Sequence, residues 1–315
     1  MLFRKNNGVS LIELIISMAL GVGLIAASLQ AFLVTKQVFI KQNAIARIQE
    51  NARIIHFILG RAIAASGNLG CNAFSPDLSI VNLSEVQSDN IMLMPPVKLM
   101  GVKYSELQNH HFLSQKTKNR IKPNTDILLI KGVKEPVPIS SIDYALKSIK
   151  LNGTLKVKPN QLLAMSDCAQ VIFARALSSE QLKGNSQILF KAPVNQQHDG
   201  LLHHGMVGLF SSQLFYIGDT GRLNANGAKI EALYTTDLNG RTLELVEGVE
   251  QMNISYGIAH ETVTYVPQEQ VSDWFAVSKV RISLLLNSIE DVQNLINPKN
   301  RLLKIWWHFE WSIKT

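Results

Sequence analysis

The chain has 315 residues, 46% of them hydrophobic and 17% charged, with a formal net charge of +7. This is the composition of a packed protein, so most of the chain can bury a core, either as two ordinary domains or as one long helix with a large head. The basic residues are scattered and form no dense tract interleaved with aromatic residues, which argues against specific nucleic-acid binding.

A short basic segment precedes a long apolar run at the N-terminus. Arg4 and Lys5 are followed by Gly8, and the residues of the run Val9–Val34 are almost all apolar. About 20 apolar residues are enough for a helix to cross the ~30 Å hydrocarbon core of a bilayer. A secretory signal peptide has a shorter apolar region, followed by a cleavage site of small residues. We therefore expect this run to be a membrane-spanning helix.

Glu13 is the charged residue inside this run. A carboxylate at the centre of a membrane helix costs roughly 2.5–3.5 kcal/mol on insertion scales, and less near the interface. Two interpretations fit its position. The side chain extends to the lipid headgroups, or it pairs with a cation on a partner, such as the free amine of a neighbouring chain. The second interpretation makes Glu13 a candidate assembly residue.

The helical pattern continues beyond the apolar run, over residues 35–66. No proline interrupts this segment, and Gly67 follows it as a fitting helix end, because glycine adopts the left-handed conformation at low cost. The period of the apolar positions predicts an amphipathic helix whose stripe packs against the rest of the protein. The positions of this stripe alternate between spacings of three and four: Ile45, Ile48, Ala52, Ile55, Leu59 and Ala62.

Residues 67–315 differ in composition from the helical segment, because short apolar runs alternate with Gly, Pro, Asn and Ser. The last segments alternate apolar and polar residues with a period of two, as half-buried antiparallel strands do. No regular alternation of strands with long helices occurs, and we find no internal repeat. We expect strands over residues 126–130, 162–166, 171–173, 188–190, 214–217, 230–234, 252–258, 280–286 and 303–313.

The sequence contains no convincing catalytic or metal-binding motif. The pairs His110–His111 and His203–His204 are adjacent in sequence, so their side chains would point to opposite faces of a strand. A triad of His198, Asp199 and a nearby serine would lack the Gly-x-Ser-x-Gly elbow of a hydrolase. The single Gly-Asp-Thr-Gly segment, residues 218–221, is interpreted as a turn between strands. We expect no enzyme activity, no cofactor and no bound metal.

Cys71 and Cys168 are the two cysteines, and their wide separation fits no zinc motif. If this part of the chain lies in an oxidising compartment, one disulfide between them is expected. Closing a loop of about 100 residues stabilises the folded state by up to ~4.7 kcal/mol in the chain-entropy model. The alternative is a pair of unpaired, buried thiols.

The segment Gly8–Leu14, Gly-Val-Ser-Leu-Ile-Glu-Leu, resembles the class III signal of type IV prepilins. The resemblance implies that a prepilin peptidase cleaves between Gly8 and Val9 and then N-methylates Val9. The basic residues Arg4 and Lys5 would then belong to a cytoplasmic leader. Their removal lowers the formal charge from +7 to about +5.

The prepilin signal also implies the topology of the chain. Residues 1–8 are the cytoplasmic leader, residues 9–34 span the bacterial inner membrane once, and residues 67–315 form a periplasmic head. Counting positive charges alone does not decide this orientation, because Lys36, Lys41 and other basic residues follow the span.

Further segments, in order along nearly the whole chain, are similar to PilW-type minor pilins. They are Gln49–Arg53, Gly67–Cys71, Ser166–Cys168, Leu214–Ile217, Leu245–Met252, Tyr256–Gly257, Asp273–Trp274 and Val280–Leu284. The last strand departs from this resemblance in its tryptophan-rich sequence, residues 306–311. That departure fits either core packing or a partner surface.

The resemblance implies an α+β, type IV pilin-like fold, with a long N-terminal helix packed on an antiparallel β-rich head. It implies a minor pilin that helps to initiate type IV pilus assembly in a priming complex. After assembly, the protein is expected at the pilus tip. The expected partners are other minor pilins, the major pilin, a PilY-type tip adhesin, the prepilin peptidase and the inner-membrane assembly platform. Glu13 would pair with the methylated amine of an adjacent subunit. Because the topmost subunit of related tip complexes can lack this acid, we expect that this chain is not the capping subunit.

Two other functions are compatible with the same N-terminus. A minor pseudopilin of a type II secretion system shares the signal and the initiating role, although the long head and the PilW-like segments argue against it. A membrane-anchored periplasmic enzyme would require a clustered, titratable pocket in the head.

Overall fold

A helix of 54 residues, α1 (Leu11–Ala64), is the longest element of the computed structural model. Its most apolar window has a mean hydropathy of 2.2, and none of that window is buried. Within the part of the chain that the structure describes, α1 is the helix that is long and apolar enough to cross a membrane. The described residues are 10–70, 73–83, 91–93, 97–109, 113–167, 169–182, 184–192, 205–259, 262–292 and 302–313.

The C-terminal end of α1 is fixed against the head by backbone contacts. After the last helical residue, Gly67 adopts a φ of 74° and donates its N–H to the carbonyl of Lys131 at 2.8 Å. A Cβ at Gly132 would lie 2.6 Å from the carbonyl oxygen of Ala65. Glycine is therefore required at both positions, at Gly67 for the left-handed turn and at Gly132 for the close approach of two backbones.

The remaining described residues form mostly strands, with two short helices, α2 (Tyr104–Asn109) and α3 (Gln115–Arg120), before β3. The strands are β1 (Ser79–Leu83), β2 (Leu99–Val102), β3 (Ile127–Asp143), β4 (Ser148–Leu151), β5 (Leu162–Ser166), β6 (Gln170–Leu182), β7 (Asn185–Phe190), β8 (Met206–Leu223), β9 (Lys229–Asp237), β10 (Thr242–Glu247), β11 (Val249–Ala259), β12 (Val263–Val266), β13 (Val277–Asn287) and β14 (Lys304–Ser312).

The larger sheet has the order β10-β9-β8-β5-β6-β7-β4-β3-β2, and β1 is added to β6 in parallel. The long strand β3 pairs with β2 and β8 through its first part and with β4 through its last part. Because β3 joins both β4 and β8, the strands β8-β5-β6-β7-β4-β3 close into a ring. All of these strands contribute to one apolar cluster, which includes Leu151, Met165, Ile172 and Phe190.

The smaller sheet is antiparallel and has the order β12-β11-β13-β14. The second half of α1 packs on it and on the neighbouring part of the larger sheet, in a cluster with Leu128, Phe215, Met252 and Leu284. The buried residues of α1 are Ile48, Ala52, Ile55, Leu59 and Ile63. The predicted stripe is therefore present, except that its outermost members differ: Ile45 and Ala62 are only half-buried, and Ile63 is the last buried position.

The predicted fold class, a long N-terminal helix with an antiparallel β-rich head, is confirmed. Every predicted strand lies in an observed strand, to within one residue at its ends. The prediction of a turn at residues 218–221 is wrong, because β8 continues to Leu223 through a register shift against β9. The turn follows at Asn224, whose N–H donates to the carbonyl of Ala228 at 2.8 Å. The glycine-rich segment that was predicted as a turn is therefore a bulge within β8.

The sequence analysis missed β1, β2, β4, β10, β12, α2 and α3. Each of them has only 4 to 6 residues. Segments this short do not complete enough periods of two or 3.6 residues to separate them from irregular structure.

Candidate assembly site

Glu13 lies in the first turn of α1. The residue before the helix, Ser10, is extended, and its carbonyl accepts the first helical bond from Leu14 N–H at 3.1 Å. Carboxylates are favoured in this position, because the free N–H groups at a helix N-terminus carry partial positive charge. Ser17 donates its hydroxyl to the backbone carbonyl of Glu13 at 2.7 Å, so the hydroxyl is satisfied within the helix and leaves the carboxylate available.

No cation of the same helix can reach Glu13. The next charged residue along the chain is Lys36, which at 1.5 Å per residue lies about 35 Å away along the helix. The intervening residues are exposed apolar side chains, such as Leu24 at 69% and Phe32 at 64% relative exposure. Among the described residues, Glu13 has no ion pair, and no donor forms a hydrogen bond to its carboxylate. A counter-charge must therefore come from outside this part of the chain.

The other predicted processing residues lie outside the described residues. These are Arg4, Lys5, Gly8 and Val9, which precede Ser10. The predicted cleavage, methylation and leader therefore remain predictions from the sequence.

The predicted disulfide residues Cys71 and Cys168 also lie outside the described residues, but their neighbours are in contact. The hydroxyl of Ser166, two residues before Cys168, donates to the carbonyl of Leu69, two residues before Cys71. Both of these neighbours are buried. The fold thus brings together the described residues that precede the two cysteines, which are far apart in sequence.

The tryptophan-rich strand β14 has two different faces. Trp307, Phe309 and Trp311 are half-buried and pack towards α1 as part of the core cluster. His56 of α1 lies against this face, with its ring centroid 5.4 Å from that of Trp311. Trp306 points to the other face and is 41% exposed. Packing therefore accounts for the alternate aromatic residues of this strand, but not for Trp306.

Sequence reasoning missed a groove of about 580 Å³ between the last turns of α1 and the larger sheet. Lys131 of β3 lines it and is 1% exposed, and burial lowers the pKa of its ammonium group to about 7. The hydroxyl of Thr235, which also lines the groove, has no partner among the described residues. The signal in the sequence was a lysine in the apolar run 127–133, which is unusual in a buried strand.

The described residues hold no group of three or more His, Cys, Asp or Glu side chains that could bind a metal ion. The histidine pairs at 110–111 and 203–204, and also His198 and Asp199, lie outside the described residues.

Among the described residues, one long helix has an apolar first half, an acid in its first turn and a second half packed on an antiparallel β-rich head. This arrangement fits a membrane-anchored, pilin-like subunit. The model of a family described as type IV pilus-assembly protein W matches residues 215–303. That match, which extends from β8 to the residue before β14, supports a PilW-type pilus protein that takes part in type IV pilus assembly. The matched segment is less than a third of the chain. Searches of curated proteins and of solved structures give no match.

Proposed function

We propose that this protein is a minor pilin that helps to initiate type IV pilus assembly, as part of a priming complex that remains at the pilus tip. In this proposal a prepilin peptidase cleaves between Gly8 and Val9 and methylates Val9. The partners are the other minor pilins, the major pilin, a PilY-type tip adhesin and the inner-membrane assembly platform.

The observation that carries the proposal is the isolation of Glu13. Its carboxylate lies at the start of an apolar helix half, and no cation of α1 is closer than about 35 Å. A carboxylate in hydrocarbon without a partner is costly, and so is an unpaired amine. Docking of the methylated amine of a neighbouring subunit onto Glu13 relieves both costs together and fixes the axial register of the two helices.

The head supports a periplasmic location in this proposal. The contact between Ser166 and Leu69 brings the segments of Cys71 and Cys168 together. A disulfide between them would persist in an oxidising periplasm and would be reduced in the cytoplasm. The helix would remain in the inner membrane until assembly, and the head would project from it.

The test of processing is the mass of the N-terminal peptide of the protein purified from its own membranes. The proposal expects a peptide that begins at N-methylated Val9. An intact Met1, or cleavage at another position, would contradict the prepilin pathway and with it the role of Glu13.

The test of priming is the number of pili per cell in a strain from which the gene has been deleted. The proposal expects a loss of most surface pili and their recovery when the gene is restored. A normal number of pili in the deletion strain would contradict an initiating role.

A further inference from the structure

Among the described residues, the last strand, β14, pairs with another strand on one edge only, and that partner is β13. Two backbone hydrogen bonds, one just beyond each end of β14, show which of its residues direct their backbone groups towards β13. Ile313 N–H donates to the carbonyl of Ser278 at 2.8 Å, and Ser288 N–H donates to the carbonyl of Leu303 at 3.0 Å. In an antiparallel pair such residues alternate with residues whose backbone groups point to the other edge. The odd-numbered residues of β14 therefore bond to β13, and the even-numbered residues face outward.

The outward edge of β14 is accessible and unpaired. Its members are all exposed: Lys304, Trp306, His308, Glu310 and Ser312. Across the described ranges, no strand pairs with this edge and no hydrogen bond reaches the outward backbone groups. A row of free N–H and C=O groups is a template for another extended chain.

This edge is longer and more regular than the edges formed by β2, β10 and β12. β14 has nine residues, contains no proline, and pairs with β13 without a register shift. The edge strands β2 and β12 have four residues each. The edge strand β10 has six residues and is interrupted by a bulge against β9. Short or bulged edges resist pairing with other chains, whereas a long regular edge favours it.

A groove of about 280 Å³ lies beside this edge, on the side of α1. Trp307 and Phe309 of β14 line it together with Gln49, Ala52, Arg53 and His56 of α1. No residue of β13 lines the groove, so it opens towards the outer edge of β14. The indole N–H of Trp307 is shielded from solvent and has no acceptor among the described residues. The groove thus offers aromatic walls from β14 and polar side chains from α1 to a side chain of another molecule.

We infer that the outer edge of β14 is a docking site for an extended strand of another pilus subunit. The strand adds to the sheet β12-β11-β13-β14, and its backbone bonds to Trp306, His308 and Glu310. One of its side chains enters the groove beside α1 and packs against Trp307 and Phe309. Main-chain bonds supply affinity in this mode of recognition, and the pocket for alternate side chains supplies specificity.

The direction of β14 argues against an antiparallel pair with a second copy of this chain. Gln49 of α1 and Trp307 of β14 line the same groove, and Gly60, later in α1, lies against Trp311, later in β14. The two elements therefore run in the same direction. An antiparallel pair of two β14 strands would turn the second α1 the opposite way. The two apolar helix halves would then leave in opposite directions and would not share one membrane.

The experiment uses the full chain in cells that produce the complete pilus machinery, with the photo-crosslinker p-benzoylphenylalanine at position 306. The crosslinked peptide is identified by mass spectrometry. The inference expects a crosslink to an extended segment of another pilus subunit. A crosslink to a second copy of this chain, or no crosslinked product, would overturn it.

Two variants test the contacts on which the crosslink depends, namely the backbone hydrogen bonds of the edge and the groove beside it. His308→Pro removes an outward N–H and spares the bonds to β13, and proline is tolerated at such edge positions. It should lower the crosslink yield at least tenfold, whereas His308→Ala should not. Trp307→Phe replaces the indole that lines the groove with a smaller ring and should lower the yield several-fold. Equal melting temperatures of the full chains in detergent show that the fold is retained, and an unchanged yield in both variants would contradict the inference.

The inference rests on the proposed function, and the two can fail separately. Normal pilus numbers in the deletion strain together with a crosslink to a pilus subunit would remove the priming role and keep the docking edge. Loss of pili on deletion without a crosslink at position 306 would keep the priming role and remove the docking edge.

Discussion

The two halves of α1 belong to one continuous helix but meet different surroundings. In the first half, apolar residues cover all sides and are exposed, as for Leu24 at 69%. In the second half, buried residues follow one stripe, and Leu59 is completely buried against the head. The same backbone geometry therefore forms an exposed apolar helix at one end and a core element at the other.

The comparison shows that the pattern of apolar residues, more than their number, indicates what covers a helix. A helix that is apolar on every side has no polar face to present to water, so lipid or other helices must surround it. A stripe with polar residues on the other faces requires only one packed surface. Substitutions in the first half should therefore change assembly, and substitutions in the second half should change the stability of the head.

The largest expected effect concerns the charge in the first half. Glu13→Gln keeps the shape of the side chain and removes its charge, and we expect recruitment into pili to fall about 100-fold, because breaking a buried ion pair costs about 3 kcal/mol or more. Quantification of the protein in sheared pili measures this. The matched control is Glu50→Gln, an exposed acid on the second half, which should be recruited normally. Wild-type recruitment of the Glu13 variant would contradict the pairing.

A buried lysine beneath the end of the second half gives the head a pH-dependent stability. Because burial lowers the pKa of Lys131 from 10.5 to about 7 in the folded state, the unfolded chain binds one more proton between these values. The free energy of unfolding should therefore rise with pH over this range. Lys131→Met has no such charge, so the stability of this variant relative to wild type should increase by about 3 kcal/mol as the pH falls from 10 to 7.

Denaturant unfolding of the full chain in detergent at several pH values measures the effect of Lys131. The matched control is Lys134→Met, which changes an exposed lysine of the same strand. That control should show no pH-dependent difference from wild type. A constant difference between Lys131→Met and wild type from pH 7 to pH 10 would exclude the lowered pKa.

One leucine-to-alanine pair tests the comparison directly. Leu59→Ala removes a completely buried side chain and should destabilise the head by about 2–5 kcal/mol. Leu24→Ala makes the same chemical change on the exposed half and should leave the unfolding of the head within about 0.5 kcal/mol of wild type. Tryptophan fluorescence during unfolding reports on the head. Equal losses of stability in the two variants would remove the distinction between the halves.

The smallest expected effect uses two glycines. A Cβ at Gly60 would lie 2.8 Å from Nε1 of Trp311, whereas a Cβ at Gly23 would have no atom within 4 Å. Gly60→Ala should destabilise the head by about 1–2 kcal/mol, because overpacking outweighs the better helix propensity of alanine. Gly23→Ala should not lower the melting temperature of the head. A stabilised Gly60→Ala variant would show that Trp311 moves freely.

Much of this fold could be predicted from local patterns. The stripe from Ile48 to Leu59 and the alternation in β13 and β14 each cover several periods, so both elements were predicted correctly. The short strands β4 and β10 could not be predicted in this way, because pairing with distant strands stabilises them. The segment 218–221 was wrongly predicted as a turn, because a bulge inside a strand contains the same glycine-rich residues as a turn.

At the candidate site, the long helix, the apolar character of its first half and the acid at position 13 could all be predicted from the sequence. These properties follow from residue types close together in the chain, so no fold is needed to recognise them. Three other facts required the folded structure: the free edge of β14, the burial of Lys131 beneath the end of α1, and the contact between Ser166 and Leu69. Those facts depend on pairings between residues far apart in the chain, and local periodicity carries no information about which distant strands become neighbours.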